Sequence, residues 1–267
     1  MTTPPNHSWA KDREPDLNPP KIPMIVAPNI HRFDTGPFNW YLIEEGRRLT
    51  LVDAGFPGHY SVLLKGLKTI GFELCDIEAI LITHSHADHT GFAERLAQAT
   101  GAPVYVHEAD YTSLTRILQL PWWGLLSNGW RPYIALMLLH AIGNGVFTMP
   151  RVRKAKTFKE GDVLDVPGKP VVMHTPGHTP GEVSFFLPDR KVLLCGDTLV
   201  TRDVMSGEMG APQIMHPILT NDYSLAQRSL EPLRKLGEVT LLTGHGDPWQ
   251  GNMLDAVTGA LESCVPR

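Results

Sequence analysis

Three histidines and one carboxylate fall within six residues, in the stretch His84-Ser85-His86-Ala87-Asp88-His89, directly after the apolar run Ala79-Ile80-Leu81-Ile82. Further donors return downstream at His178, Asp197 and His245. All are nitrogen or oxygen donors of the kind that hold zinc, iron or manganese. His178 lies in Thr175-Pro176-Gly177-His178-Thr179-Pro180-Gly181, Asp197 in Cys195-Gly196-Asp197-Thr198, and His245 in Gly244-His245-Gly246-Asp247. Each motif follows a short apolar run that reads as a strand. Ligand loops past the carboxyl ends of strands are a common arrangement in α/β active sites. The His-x-His spacing is not the i,i+4 pair of a helical zinc site, so it belongs to a loop that curls around a metal. The chemistry indicated is metal-dependent hydrolysis. Ser85 adjoins the donors, but no nucleophile elbow surrounds it. His7, His31, His59, His107, His140, His174 and His216 lack comparable context and read as surface or hydrogen-bonded residues; of these, His31 and His216 are the candidates to line a pocket.

The elements that must position these donors are legible in outline. Phe38–Ile43 and Leu49–Val52 flank the turn Glu44–Arg48 and predict a hairpin, ending at Asp53-Ala54-Gly55. Apolar spacing predicts helices over Tyr60–Ile70, stopped by Gly71, and Thr90–Thr100, stopped by Gly101. Ile77–Thr83 and Pro103–His107 read as strands. Short β-like runs follow at 156–158, 163–166, 171–174, 183–187 and 192–195. Tyr223–Leu236 reads as one amphipathic helix, Val239–Thr243 as a strand and Leu254–Glu262 as a terminal helix. Residues 112–149 form an apolar insertion rich in Leu, Trp and Met. Helices are expected at Thr112–Leu120 and Pro132–Ala141, with a break at Pro121-Trp122-Trp123-Gly124. The insertion reads either as a helical hairpin packed on the body or as a lid, with Trp122, Trp123, Trp130 and Tyr133 against an apolar acyl group; an oligomer surface is compatible with both.

The chain has 267 residues, 42% hydrophobic, enough for a substantial core. Because the donors run from 84 to 245, residues 24–267 are expected to form one hydrolase domain, preceded by an extended, proline-rich arm over 1–23 without the apolar core of a signal peptide. The formal charge is −4, and neither nucleic-acid nor anionic-membrane binding gains support from that total. The most apolar window, Tyr133–Phe147, is too short to span a bilayer. Cys75, Cys195 and Cys264 form no CxxC pair and suit a reducing, cytoplasmic location. The run Arg151–Lys156 reads as a solvated strand edge.

His84-Ser85-His86-Ala87-Asp88-His89 matches the His-x-His-x-Asp-His signature of the metallo-β-lactamase-fold hydrolases, and Asp53, His178, Asp197 and His245 match the other motifs in order. From about Asn39 to Gly246 the chain resembles that superfamily. The resemblance implies an α/β (α+β) fold: a four-layer αβ/βα metallo-β-lactamase sandwich, here with a helical insertion. It implies two divalent ions, zinc first, with iron or manganese as alternatives. His84, His86 and His178 would hold one; Asp88, His89 and His245 the other; Asp197 would bridge them, and Asp53 would support a ligand without being one. A bridging hydroxide would attack the substrate, with Asp88 as the catalytic carboxylate. The aspartate bridge resembles the glyoxalase II, lactonase and phosphodiesterase branches more than true β-lactamases. The tail after His245 is too short to match the glutathione-binding part of a glyoxalase II. A small or medium acyl ester, lactone or thioester is therefore the expected substrate, with phosphodiester cleavage as the main alternative and β-lactam hydrolysis or non-catalytic metal binding behind it. A homodimer is compatible with the sequence.

Overall fold

A computed structural model describes residues 23–114 and 122–263. The arm expected over 1–23 lies outside the described residues except for Pro23, as do Cys264 and residues 115–121. Strands β1 (Met24–Ala27), β2 (Ile30–Asp34), β3 (Asn39–Glu45), β4 (Arg48–Val52), β5 (Ile77–Leu81), β6 (Val104–His107) and β7 (Ala155–Phe158) form a seven-stranded sheet in chain order. It is antiparallel from β1 to β4 and parallel from β4 to β7. After β8 (Val171–His174), β9 (Val183–Leu187) and β10 (Val192–Leu194) come a separate pair, β11 (Val200–Arg202) and β12 (Met209–Gln213), and then β13 (Glu238–Leu242) and β14 (Trp249–Asn252). The second sheet has the order β14-β13-β10-β9-β8. The helices are α1 (Tyr60–Ile70), α2 (Ala87–Thr90), α3 (Ala93–Thr100), α4 (Tyr111–Leu114), α5 (Trp122–Ser127), α6 (Pro132–Gly143), α7 (Tyr223–Ser229) and α8 (Met253–Glu262).

The period-two alternation of the strands produces the layers. Leu42, Leu51 and Ile80 face outward and pack on Leu63 and Leu67 of α1 and Leu96 of α3. Their neighbours Ile43, Val52 and Leu81 face inward, where they meet Phe185, Val192, Leu194 and Leu242 of the other sheet. On the far side, Leu193, Val239 and Leu241 pack on Leu230, Leu233 and Val257. Helix, sheet, sheet and helix follow in turn, as the resemblance implied.

Strand direction brings the motifs together. β4 and β5 run parallel, and so do β10 and β13. β8 pairs antiparallel with β9 and β9 with β10, so β8 also runs with β10. At this edge the two sheets are joined by backbone bonds from Val183 N–H to Thr83 O (3.0 Å) and from Asn39 N–H to Gly244 O (2.8 Å).

Several expected elements differ. The helix expected over Thr90–Thr100 is divided: α2 carries Asp88 and His89, and α3 begins at Ala93, because Gly91 and Phe92 donate their N–H groups across to Gly55 and Ala54. The helix expected over Tyr223–Leu236 ends at Ser229, and a tighter 3₁₀ segment, Glu231–Leu236, follows with Pro232 in its first turn. The expected strand at 163–166 reduces to one bridge between Val163 and Val171. Of the expected break at 121–124, Trp122–Gly124 lie in α5, and of the helix expected at 112–120 only Thr112–Leu114, within α4, lies among the described residues. β1, β11, β12 and β14 carry too little alternation to be read from sequence.

The insertion is anchored by a pair of histidines. The Phe56 N–H donates to His59 Nδ1 (3.1 Å), which leaves the neutral ring its proton on Nε2. That proton faces His140 Nε2 of α6 at 2.9 Å. Gly58 N–H also donates to Asn144 O at the end of α6 (2.9 Å). Burial first, and the His140 ring second, lower the His59 pKa to about 3. The unfolded chain takes up that proton near the ordinary histidine value and the folded one does not, so this contribution to stability falls as pH drops from about 6.5 toward 3. Thermal melts between pH 7 and pH 5 should show a smaller loss of Tm in His59→Gln than in the unsubstituted protein; equal slopes would remove His59 as the cause.

Candidate metal centre

Five strand ends deliver the site. β4 runs into Asp53, β5 into the loop bearing His84, His86, Asp88 and His89, β8 into His178, β10 into Asp197 and β13 into His245. All seven expected donors converge, and they do so as two groups whose ligand atoms lie within 4.8 Å of one another: His84, His86 and His178, and Asp88, His89, Asp197 and His245. In the first group His86 Nδ1 lies 3.0 Å from His84 Nε2 and 2.9 Å from His178 Nε2. In the second, Asp88 Oδ2 lies 3.5 Å from His89 Nε2 and 3.6 Å from His245 Nε2. Asp197 touches both groups. Its Oδ1 is 3.5 Å from His89 Nε2, and its Oδ2 is 3.1 Å from His245 Nε2 and 3.5 Å from His178 Nε2. Gly244 is required by this packing, since a Cβ there would run into Asp197 Oδ1.

The donor set fits metal ions. Burial first, then the neighbouring imidazoles, lower the pKa of His84; burial also lowers those of His86 and His178, the last to about 3. These rings are therefore neutral, the form that offers a lone pair. His86 Nδ1 faces both His84 Nε2 and His178 Nε2, and as a neutral ring nitrogen, with one proton or one lone pair, it can satisfy only one of them; Asp197 Oδ1 is buried with no hydrogen-bond partner. Cations would satisfy both features. In the second group the balance is different. Burial works against the charge on His89, but Asp53, then Asp197 and Asp88, raise its pKa well above the ordinary value. Asp197 raises His245 in the same way. In return His245 and His89 hold the Asp197 carboxyl well below its usual range, and His89 lowers Asp88.

The backs of the rings are held as well. Asp53 Oδ2 lies 2.7 Å from His89 Nδ1, while its Oδ1 accepts the Thr83 N–H at 2.9 Å. Asp53 does this from a left-handed backbone, φ +63°, a conformation that aspartate tolerates better than most residues. His245 Nδ1 donates to Pro37 O at 2.8 Å, which frees Nε2 for the site. Arg32, buried, clamps the same loop by donating to Asp247, Asp34 and Gly246 O.

Two carboxylates here escaped the sequence reading. Glu182 is fully buried and lies between the groups: Oε2 is 3.1 Å from His84 Nδ1, and Oε1 accepts the Asp197 N–H at 3.0 Å. Burial, then Asp197, push its carboxyl well above the usual range. Asp110, also fully buried, accepts from Ser85 N–H (2.9 Å), Thr179 Oγ1 (2.9 Å) and Gly181 N–H (2.8 Å), and so ties the first ligand loop to the His178 loop. Gly181 closes a visible motif and Glu182 follows it directly, so Glu182 could have been suspected; Asp110 sits in an ordinary Glu-Ala-Asp turn with no local signal. His31 is taken up by Glu44 (2.8 Å), and neither it nor His216 lines the cavity over the site.

That cavity has His86, Asp88, His178, Asp197 and His245 in its wall. The rest is apolar: Phe38, Phe56, Leu125, Met137, Leu138, Ala141, Met215 and Leu219. Four of these belong to the 112–149 insertion, so part of that segment does cover the site. The aromatic wall expected there is different. Trp130 is 76% exposed and does not line the cavity, Tyr133 packs against Gly207 and Arg202, and the Trp122 and Trp123 side chains lie outside the described residues.

Residues 34–245 match a profile of the metallo-beta-lactamase superfamily. YflN of Bacillus subtilis, described as a probable metallo-hydrolase, is 29% identical over 242 residues, 85% of this chain and 87% of its own length. Among solved structures, the metallo-beta-lactamase family protein TTHA1429 of Thermus thermophilus superposes with a TM-score of 0.65 at 23% identity, covering 90% of this chain and 80% of that one. TTHA1623, in a di-iron-bound form, gives 0.56 at 26% identity, covering 85% and 93%.

Glutamine at 182 places an NH2 group either beside His84 Nδ1, which lies 3.1 Å from Glu182 Oε2, or against the Asp197 N–H that Oε1 accepts. Glu182→Gln should therefore weaken metal retention by about 10–100-fold. Competition with a chelator, read by metal analysis, measures this; retention equal to the unsubstituted protein would show that His84 needs no such support.

Proposed function

Because the chain belongs to the metallo-β-lactamase superfamily, we propose that it is a dinuclear metal-dependent hydrolase acting on an uncharged ester, lactone or thioester with an apolar acyl group. The observation that carries this reading is the cavity: beyond the candidate metal donors its described lining is entirely apolar, without a lysine or arginine to hold a phosphate or carboxylate. Residues 24–267 are read as the hydrolase domain and 112–149 as its inserted cover.

We assign His84, His86 and His178 to one ion, Asp88, His89 and His245 to the other, and Asp197 to both, on the strength of the two donor groups. Bound there, the ions supply Lewis acidity and a nucleophilic hydroxide at neutral pH. Zinc suits an all-nitrogen-and-oxygen set, and such a set also accepts iron or manganese; TTHA1623 is known in a di-iron-bound form. Asp88 faces the cavity with its carboxyl held low by His89, so it is an ionised acceptor at neutral pH. It orients the attacking hydroxide and, after the attack, relays the proton that the hydroxide carried to the leaving oxygen or sulfur. Phe38, Phe56 and Met137 hold the acyl group and exclude bulk water from the reacting carbonyl.

Metal analysis of the purified protein should find about two equivalents per chain. Asp88→Ala should lower kcat by at least about 100-fold. In a panel of γ-lactones, acyl esters and thioesters of graded chain length, bis-aryl phosphodiesters and β-lactams, kcat/KM should be highest for a neutral substrate with a medium-length acyl chain. Phosphodiesters ahead of every acyl substrate would overturn the substrate assignment and leave the metal assignment standing.

A further inference from the structure

Helix α6 is apolar on both faces. Ile134, Met137 and Ala141 are buried beneath it, and Met137 and Ala141 wall the cavity. On the other side Leu136, Leu139 and Ile142 are 53%, 67% and 54% exposed, and Trp130, just before the helix, is 76% exposed. Helices apolar all round are ordinarily covered on all sides, by protein or by lipid. The charge pattern says which cover suits this one. From Tyr111 to Lys159 the chain contains seven basic residues and no acidic one, although its total is −4. None of the seven lies between Arg131 and Arg151, so the helix itself carries no Lys or Arg, with Arg131 directly before it and the basic run from Arg151 following eight residues after its end. Arg131 stands over the Trp130 ring at 5.2 Å from its centroid, a pairing suited to the level where headgroups meet acyl chains.

We propose that the outer face of α6 docks on an anionic phospholipid surface. Leu136, Leu139, Ile142 and Trp130 enter the acyl boundary, and Arg131, Arg151, Arg153 and Lys154 meet the headgroups. A second copy is the poorer occupant. Four partly exposed side chains supply roughly 400 Å², against about 800 Å² per partner in a stable protein interface, and the basic flanks would face each other. No described helix is long and apolar enough to cross a membrane, so the contact is one of a helix lying on the surface. Docking is independent of which bond the enzyme cuts, but it places a lipid surface against the helix whose inner face walls the cavity.

Flotation of the full chain with vesicles of phosphatidylcholine, alone or mixed with phosphatidylglycerol, tests this directly. The protein should float with the anionic vesicles and be released in part by salt. Leu136→Gln/Leu139→Gln/Ile142→Gln should weaken partitioning by about tenfold or more, and Arg151→Gln/Arg153→Gln/Lys154→Gln should remove the salt-sensitive part. Leu139→Gln alone repeats the test at the most exposed helix position, with thermal melting as the check on folding. Failure of the unsubstituted protein to float at low salt overturns the proposal. So does flotation of folded apolar variants equal to that of the unsubstituted protein. A dimer in light scattering that dissociates with the same substitutions, without vesicle binding, would assign the face to a second copy.

Discussion

The structure depends on balancing charge in a place from which water is largely excluded. Five imidazoles and the carboxylates of Asp53, Asp88, Glu182 and Asp197 share one buried edge of the sandwich. Unpaired charge is expensive there, so each group's state is set by its neighbours more than by solvent. The result is a division of labour. The first group is starved of protons because burial and crowding keep three rings neutral. The second draws positive charge in, because three carboxylates surround His89. Divalent ions answer both demands at once.

The two sheets follow from that constraint. No single strand end brings together donors of both groups with the carboxylates behind them, so five are made to finish at one edge. Asp53 reaches across from β4 to Thr83 and His89, and Glu182 links His84 to the Asp197 loop of the opposite sheet. Away from the donors the chain does the reverse: it covers them with leucine, methionine and phenylalanine. Low polarity above the site strengthens the electrostatics within it and leaves recognition to shape and apolar contact.

Much of this was legible in the residue order. The donors are short-range motifs, and β5 and β10 before two of them are almost wholly buried, so they read as plain apolar runs. The helix α1 carried its periodicity and its stop, Gly71, with it. What stayed hidden was long-range or unpatterned. Asp110 serves the site only because Ser85, Thr179 and Gly181 are folded onto it. β11, β12 and β14 are set by partners and not by alternation. The tryptophans of the insertion suggested an aromatic wall by composition alone, but composition does not say which side of a helix faces in; Trp130 faces solvent, and the wall belongs to Leu125, Met137, Leu138 and Ala141.

The order of the donors along the chain also bears on how the protein is made. Synthesis delivers His84, His86, Asp88 and His89 first, yet neither group is complete at that stage: one waits for His178, the other for Asp197 and His245. The last donor follows β13, near the end of the second sheet. On the metal assignment proposed above, a nascent chain would emerge with half-built sites, and tight capture of an ion would come only when both sheets have closed. Metal uptake would in this sense be a late, post-assembly event that favours chains whose two halves have found each other.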